Sequence, residues 1–331
     1  MRFEQVLKNE PAYRIRQARG AIFQKLISDW SQATNMPKNL RDILNEKCPL
    51  EIDAEIFKSK DKKTVKALMR LADGEKIECV LMRYEDREEK NRNTVCVSTQ
   101  IGCALGCTFC ATGKMGFKRN LTEEEIINQI LFFSRKIGDG GKITNVVFMG
   151  MGEPFLNYEN VISAIKYLND KSTMGLGMRR FSISTAGIPE GIKRFADENI
   201  EVNLALSLHA PNDELRSKLM PINKKYPINE VLHSLQYYQN KTRRKIMFEY
   251  IMIDRVNDSD FCANQLAGIS KKFICAVNLI PYNTTGIFRA SPADRIKSFR
   301  GILEQRGVET IQRFSFGKDI KAACGQLAGE K

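Results

Sequence analysis

The sequence predicts an α/β fold: a partial (β/α)6 barrel with a small N-terminal accessory domain. Two observations carry this. From Thr94 onward, apolar strand-like runs alternate with helical stretches through six units, and such alternation builds a parallel sheet with right-handed crossovers. Five of the six strands end in small or polar residues, where βα barrels gather their functional groups. Six units are too few for the closed eight-unit barrel. A chain of 331 residues leaves room for an appendage, and an apolar fraction of 43% permits a full core.

Residues 1–60 read as a helical accessory domain, whose basic helix either touches a phosphate backbone or is a solvated face. Its stretch 13–25 is basic and amphipathic, with Ile15, Ala18, Ile22 and Phe23 at helical spacing. Residues 61–93 read as a hairpin extension and linker. Runs 65–71 and 76–83 flank Ala72-Asp73-Gly74-Glu75, and Asp-Gly is a strong turn pair. The charged run 85–93 reads as the linker. The barrel is expected over 94–313, with strands at 95–98, 144–149, 180–184, 201–207, 246–253 and 275–280. Thr122 to Glu125 is a capping box opening one helix. Residues 157–170, 189–198, 228–240, 259–272 and 291–306 supply the other helices. A last strand, 308–313, precedes a polar tail, 314–331.

The formal net charge of +13 points to an anionic partner, nucleic acid above all. The first residues show no secretory signal pattern, and no apolar run approaches the ~20 residues of a membrane span. A soluble cytoplasmic protein with no membrane partner is expected. Nine cysteines in a chain this long fit reduced thiols better than a disulfide scaffold.

Three of them form the most informative run, Cys103-Ala-Leu-Gly-Cys107-Thr-Phe-Cys110. An iron–sulfur cube is normally held by four thiolates. Three leave one iron open to chelate a small molecule and pass it an electron. The alternatives are a zinc knuckle, which prefers spaced Cys-x2-Cys pairs, and three unrelated thiols. The other functional positions follow later strands: Gly150-Met-Gly152-Glu153, Ser184, Ser207-Leu208-His209 and Asn283. The glycines would let backbone approach a ligand closely; a tight turn capped by Glu153 explains them equally. Cys324 lies in a small-residue tail beside Gly325. Position alone makes it an incidental surface thiol, or a mobile nucleophile.

Longer motifs carry a resemblance. Cys96-Val-Ser-Thr-Gln-Ile-Gly-Cys103 through Cys110-Ala-Thr-Gly, Gly150-Met-Gly-Glu-Pro-Phe-Leu-Asn157, Ser207-Leu-His-Ala-Pro-Asn-Asp213, Asn278-Leu-Ile-Pro-Tyr-Asn283 and Asp319-Ile-Lys-Ala-Ala-Cys324 closely resemble the radical SAM adenine-C2 RNA methyltransferases (RlmN-like). The likeness covers roughly residues 75–330. It implies one 4Fe-4S cluster on Cys103, Cys107 and Cys110. S-adenosyl-L-methionine (SAM), two per turnover, would lie against Gly152, Glu153, Ser184, Ser207, Leu208, His209 and Asn283. One SAM would methylate Cys324. The second, cleaved reductively, would give a radical that abstracts hydrogen from the methylated Cys324, and the resulting thiomethylene radical would add to adenine. Glu78 would accept the ring proton, and Cys96 would close a disulfide with Cys324 and release product. Glu78 has a plain alternative, a solvated glutamate in a hairpin strand. The implied partners are 23S rRNA at adenosine 2503, tRNA at adenosine 37, and a low-potential electron donor such as flavodoxin or ferredoxin. Cys48, Cys79, Cys262 and Cys275 read as packing residues.

Three rivals stand beside this. A Cfr-like enzyme would methylate carbon 8 of the same rRNA adenosine. The motifs Gly152 to Asn157 and Asp319 to Cys324 favour carbon 2, whereas Arg313-Phe-Ser-Phe-Gly317 leans toward carbon 8. A non-enzymatic iron–sulfur RNA-binding or redox-sensing module would need the cluster but neither Cys96 nor Cys324. Sulfur insertion is a third, but no second three-cysteine group exists to hold a second cluster.

Overall fold

The structure, a computed structural model, describes residues 1–84, 92–137, 141–312 and 316–328. Among these, ten strands form one sheet and two more form a small ribbon. In chain order they are β1 (Ala54–Lys58), β2 (Thr64–Arg70), β3 (Lys76–Tyr84), β4 (Arg92–Cys96), β5 (Gln100–Gly102), β6 (Phe117–Asn120), β7 (Asn145–Phe148), β8 (Phe181–Thr185), β9 (Asn203–Ser207), β10 (Ile246–Met252), β11 (Cys275–Pro281) and β12 (Thr310–Gln312).

The main sheet runs β1-β2-β3-β4-β7-β8-β9-β10-β11-β12. From β4 to β12 every pairing is parallel, as the alternating pattern requires. Helices Glu123–Lys136, Tyr158–Asn169, Pro189–Asp197, Ile228–Thr242, Asp260–Ser270 and Ala293–Gln305 fill the crossovers. The capping box is present: Thr122 Oγ1 accepts the Glu125 amide at 3.2 Å, and Glu125 Oε2 accepts the Thr122 amide at 2.8 Å. The sheet stays open between β1 and β12, so the barrel is partial.

The hairpin joins this sheet. β3 pairs antiparallel with both β2 and β4, so the barrel wall continues unbroken into the N-terminal half. Gly74, at φ +83°, makes the turn. Within residues 1–60 the expected helical character ends early. Helices Arg2–Val6, Ala12–Arg19 and Lys38–Lys47 are followed by β1, an edge strand paired antiparallel with β2. Ala-Glu-Ile-Phe-Lys carries no clean period-two alternation; its pairing with β2 makes it a strand. The stretch expected as one helix from Tyr13 changes to a π-turn over Gly20–Gln24, burying Ile22 and Phe23. The linker expected at 85–93 and the strand end at 313 fall largely outside the described residues.

The ribbon β5–β6 was not foreseen, and it shapes the site. It closes the cysteine loop at its base, where the Cys103 amide donates to Gly116 O at 2.9 Å. Gly102 adopts φ +71°, and a Cβ there would lie 1.8 Å from Gly116 O. Gly74 also has positive φ, but open space around it. Gly74→Ala is therefore expected to cost only left-handed strain, about 1–2 kcal/mol. Gly102→Ala should cost clearly more and impair cluster loading. Equal losses in thermal unfolding would contradict this account of the loop.

Candidate active site

The cysteine loop hangs from β4 through hydrogen bonds made by short polar residues. Ser98 exchanges both backbone groups with buried Gln129, and its Oγ donates to Glu78 O at 2.6 Å. The amides of Thr99 and Gln100 donate to Met151 O. The glycine-rich stretch after β7 thus packs on the protein's own backbone. A Cβ on Gly150 would meet Val97 O at 2.7 Å, and one on Gly152 would meet the Gln100 side chain at 2.6 Å. Close packing of two strand ends, as well as ligand approach, demands glycine here.

These strand ends enclose a cavity of about 200 Å³. Cys96, Cys103, Cys107, Cys110, Gly152, Glu153, Ser184, Ser207, His209, Asn283 and Cys324 all line it. Residues far apart in sequence therefore share one chamber. Leu208 and Glu78 are not on its wall. Leu208 buries its side chain in the main core and contributes its backbone, the amide donating to Glu249 O. Glu78 is not the solvated hairpin residue of the plain alternative: it is 1% exposed, 2.6 Å from Lys66 Nζ.

The tail brings Cys324 in. Ala111 N donates to Gly325 O at 2.7 Å, Thr112 Oγ1 to Leu327 O at 2.6 Å, and Asn283 Nδ2 to Cys324 O at 3.2 Å. Ala328 N donates to Glu78 Oε2 at 2.7 Å. Cys324 is thus a half-buried thiol seated in the chamber. The expectation of a mobile or incidental surface thiol, drawn from position alone, missed these long-range bonds. No disulfide joins any of the nine cysteines.

Burial dominates the electrostatics of the site. Burial pushes the Cys103 thiol up to about 12, and the Cys107 thiol higher still. Such thiols ligate only where a metal supplies positive charge. Burial also raises Glu153, whose two oxygens accept the amides of Phe155 and Ala186. His209 is lowered to about 3 by burial and by the Arg216 guanidinium. The neutral ring accepts the Ile251 amide at Nδ1 and packs edge-on against Phe109, leaving Nε2 as the protonated donor nitrogen.

Sequence reasoning passed over two residues of the site, one behind the chamber wall and one on it. Arg216 is 1% exposed and donates to the carbonyls of Ala186, Ser207 and Leu208, tying the ends of β8 and β9 together. Glu249 lines the chamber from β10, one oxygen accepting from Asn278 Nδ2 at 2.6 Å. An acid inside the apolar run Ile246–Met252 was the available signal for it.

The profile of the radical SAM superfamily matches residues 97–263. A probable dual-specificity RNA methyltransferase RlmN from Dictyoglomus thermophilum is 44% identical, over 96% of this chain and 91% of that protein. This chain belongs to the RlmN family of radical SAM RNA methyltransferases. A second RlmN, from Thermotoga neapolitana, is 45% identical over 95% of this chain and 91% of its own length. The crystal structure of a radical SAM methyltransferase from Sphaerobacter thermophilus aligns with a TM-score of 0.94 at 44% identity, covering 99% of this chain and 96% of that one.

A family member uses a 4Fe-4S cluster and SAM, and the chamber fits both. The three thiols of the run share one loop and one apolar cluster with Leu105 and Phe109. Among the described residues no three metal-binding side chains converge on a single ion; a cube makes no such demand, since each thiolate takes a different iron. For SAM, Asn283 Oδ1 is a buried acceptor with no protein partner on the chamber wall, and such an atom calls for a ligand donor. No helix among the described residues is long and apolar enough to cross a membrane.

The histidine has a measurable consequence. Unfolded His209 takes up a proton as pH falls through 6.5, whereas the folded residue resists until about 3. Its contribution to stability is complete above pH 6.5 and declines as pH falls below it. His209→Gln, which never titrates, should lose stability less steeply on acidification. Identical pH slopes in chemical denaturation would contradict the buried neutral imidazole.

Proposed function

We propose that this RlmN-family enzyme methylates carbon 2 of adenosine in two RNAs, at adenosine 2503 of 23S rRNA and adenosine 37 of tRNA. The observation that carries the reading is the shared chamber: Cys324 and Cys96 line the same cavity as the cluster-binding thiols. Carbon 2 of adenine is electron-poor and does not attack a methyl cation donor directly. A cysteine that accepts the methyl group first and passes it on as a carbon radical divides the reaction into feasible steps.

When bound, the cluster and SAM supply the methyl group and the one-electron chemistry. The protein's own groups do the rest. Cys324 accepts the methyl group and carries it to the ring. Glu78 accepts the proton lost from carbon 2. The Cys96 thiol closes a disulfide with Cys324 and frees the product, and reduction of that disulfide resets the site. Glu153, Ser184, Ser207, His209, Asn283 and the backbone at Gly152 and Leu208 hold SAM.

The relatives' printed name, dual-specificity RNA methyltransferase, supports two RNA substrates. The net charge of +13 agrees with an RNA partner. We assign residues 1–60 to RNA binding, 61–93 to a hairpin extension and linker, 94–313 to the catalytic barrel, and 314–331 to delivery of the reactive cysteine. A flavodoxin or ferredoxin in the cytoplasm would provide electrons.

Nucleoside mass spectrometry tests the reading. The protein is expressed in a host lacking its own adenine-C2 methyltransferase, and 23S rRNA and tRNA are digested separately. 2-Methyladenosine in both pools is the expected result. 8-Methyladenosine would place the enzyme with the Cfr-like activity instead, and no methylated adenosine from cluster-loaded protein would remove the assignment.

A further inference from the structure

The chamber wall extends beyond the barrel into the hairpin. Glu78, Val80 and Met82 alternate along β3, and Val80 and Met82 line the chamber. With period two, Glu78 lies on that same face. Val80 is flanked in register by Cys96 on β4 and by Lys66 on β2. Lys66 is therefore a diagonal neighbour of Glu78 across the β2–β3 ladder.

The two side chains meet. Lys66 Nζ lies 2.6 Å from Glu78 Oε1, and the residues are 2% and 1% exposed. The ammonium also sits 5.0 Å from the centre of the Phe57 ring on β1. Stability alone does not account for such a pair, since a well-packed apolar pair of similar volume commonly serves as well or better. The second oxygen points to a role. Glu78 Oε2 accepts the amide of Ala328, on the same tail that carries Cys324. One carboxylate oxygen is thus held by the barrel wall and the other is turned toward the reactive cysteine's segment.

We propose that Lys66 is the positioning residue for Glu78. This rests on the reading of Glu78 as the proton acceptor. Lys66 clamps Oε1 and fixes the carboxylate rotamer, so that Oε2 meets an adenine ring joined to Cys324. In that step the carbon 2–hydrogen bond breaks, the proton goes to Oε2 and the electron pair stays on the ring. Lys66 keeps its protons throughout. The hairpin strand β2 thereby becomes part of the catalytic architecture, not merely an extension of the sheet.

The experiment compares Lys66→Met, Lys66→Arg, Glu78→Gln and the Lys66→Met/Glu78→Gln double variant, all loaded with cluster. Two readouts are taken: transfer of the SAM methyl group to Cys324, which does not involve Glu78, and formation of methylated RNA. Lys66→Met should keep the first and lose roughly 100-fold or more in the second, the scale of a lost general base. Lys66→Arg should recover part of the loss. The double variant should match Glu78→Gln, because Lys66 acts through Glu78. Wild-type RNA methylation by Lys66→Met would overturn the inference. So would a parallel loss of Cys324 methylation, which marks a structural role, or a double variant well below Glu78→Gln. If Lys66→Met does not fold, the double variant still decides, since it strands no buried charge. Wild-type turnover by Glu78→Gln would instead remove the underlying reading of Glu78.

Discussion

Docking of the C-terminal tail is the constraint on which the active site depends. The chamber lies at the strand ends of the barrel, and the tail supplies part of its wall. The tail covers the mouth with a few hydrogen bonds from separate parts of the fold. Ala111 and Thr112 reach it from the cysteine loop, Asn283 from the end of β11, and Glu78 from β3. Each net bond is worth only about 0.5–1.5 kcal/mol. Together they place Cys324 on the chamber wall, where the proposed chemistry needs it.

The chamber walls are rigid for a different reason. Several polar groups behind them are buried and pair with one another. Arg216 ties three carbonyls at the ends of β8 and β9, Glu153 accepts two amides between β7 and β8, and Gln129 holds Ser98 on both sides. Breaking any of these leaves an unsatisfied buried group, the expensive kind of loss. His209 shows the strain this permits: a non-glycine residue at φ +58°, held by Glu249 and Asn257 through its backbone. Strain of that kind persists where the surroundings over-determine it, and it clusters at ligand sites.

Much of this was readable in the sequence because the signals are local. Strand and helix periodicity located the six βα units, and the capping box at Thr122 set a helix start to the residue. The cysteine run and the polar residues after each strand marked the chamber. What escaped the sequence depends on distant partners. Arg216 lies in a charged helical segment, Asp213–Leu219, where a solvated arginine looks the same. Lys66 and Glu78 become a buried pair only through the β2–β3 register and the tail. The motif likeness singled out Cys324, but from position alone it looked incidental, because the bonds that seat it come from positions 111, 112 and 283. The strand β1 was lost because five residues at a sheet edge, without clean alternation, are a faint signal.

The central claim is that the tail delivers Cys324 to the SAM chamber as the first methyl acceptor. The direct measurement uses SAM with a deuterated methyl group, cluster-loaded enzyme and no RNA or reductant, followed by peptide mass mapping. The account predicts the label on the peptide containing Cys324 and on no other cysteine peptide. Label on another residue, or none on Cys324 in enzyme that methylates RNA, would contradict it.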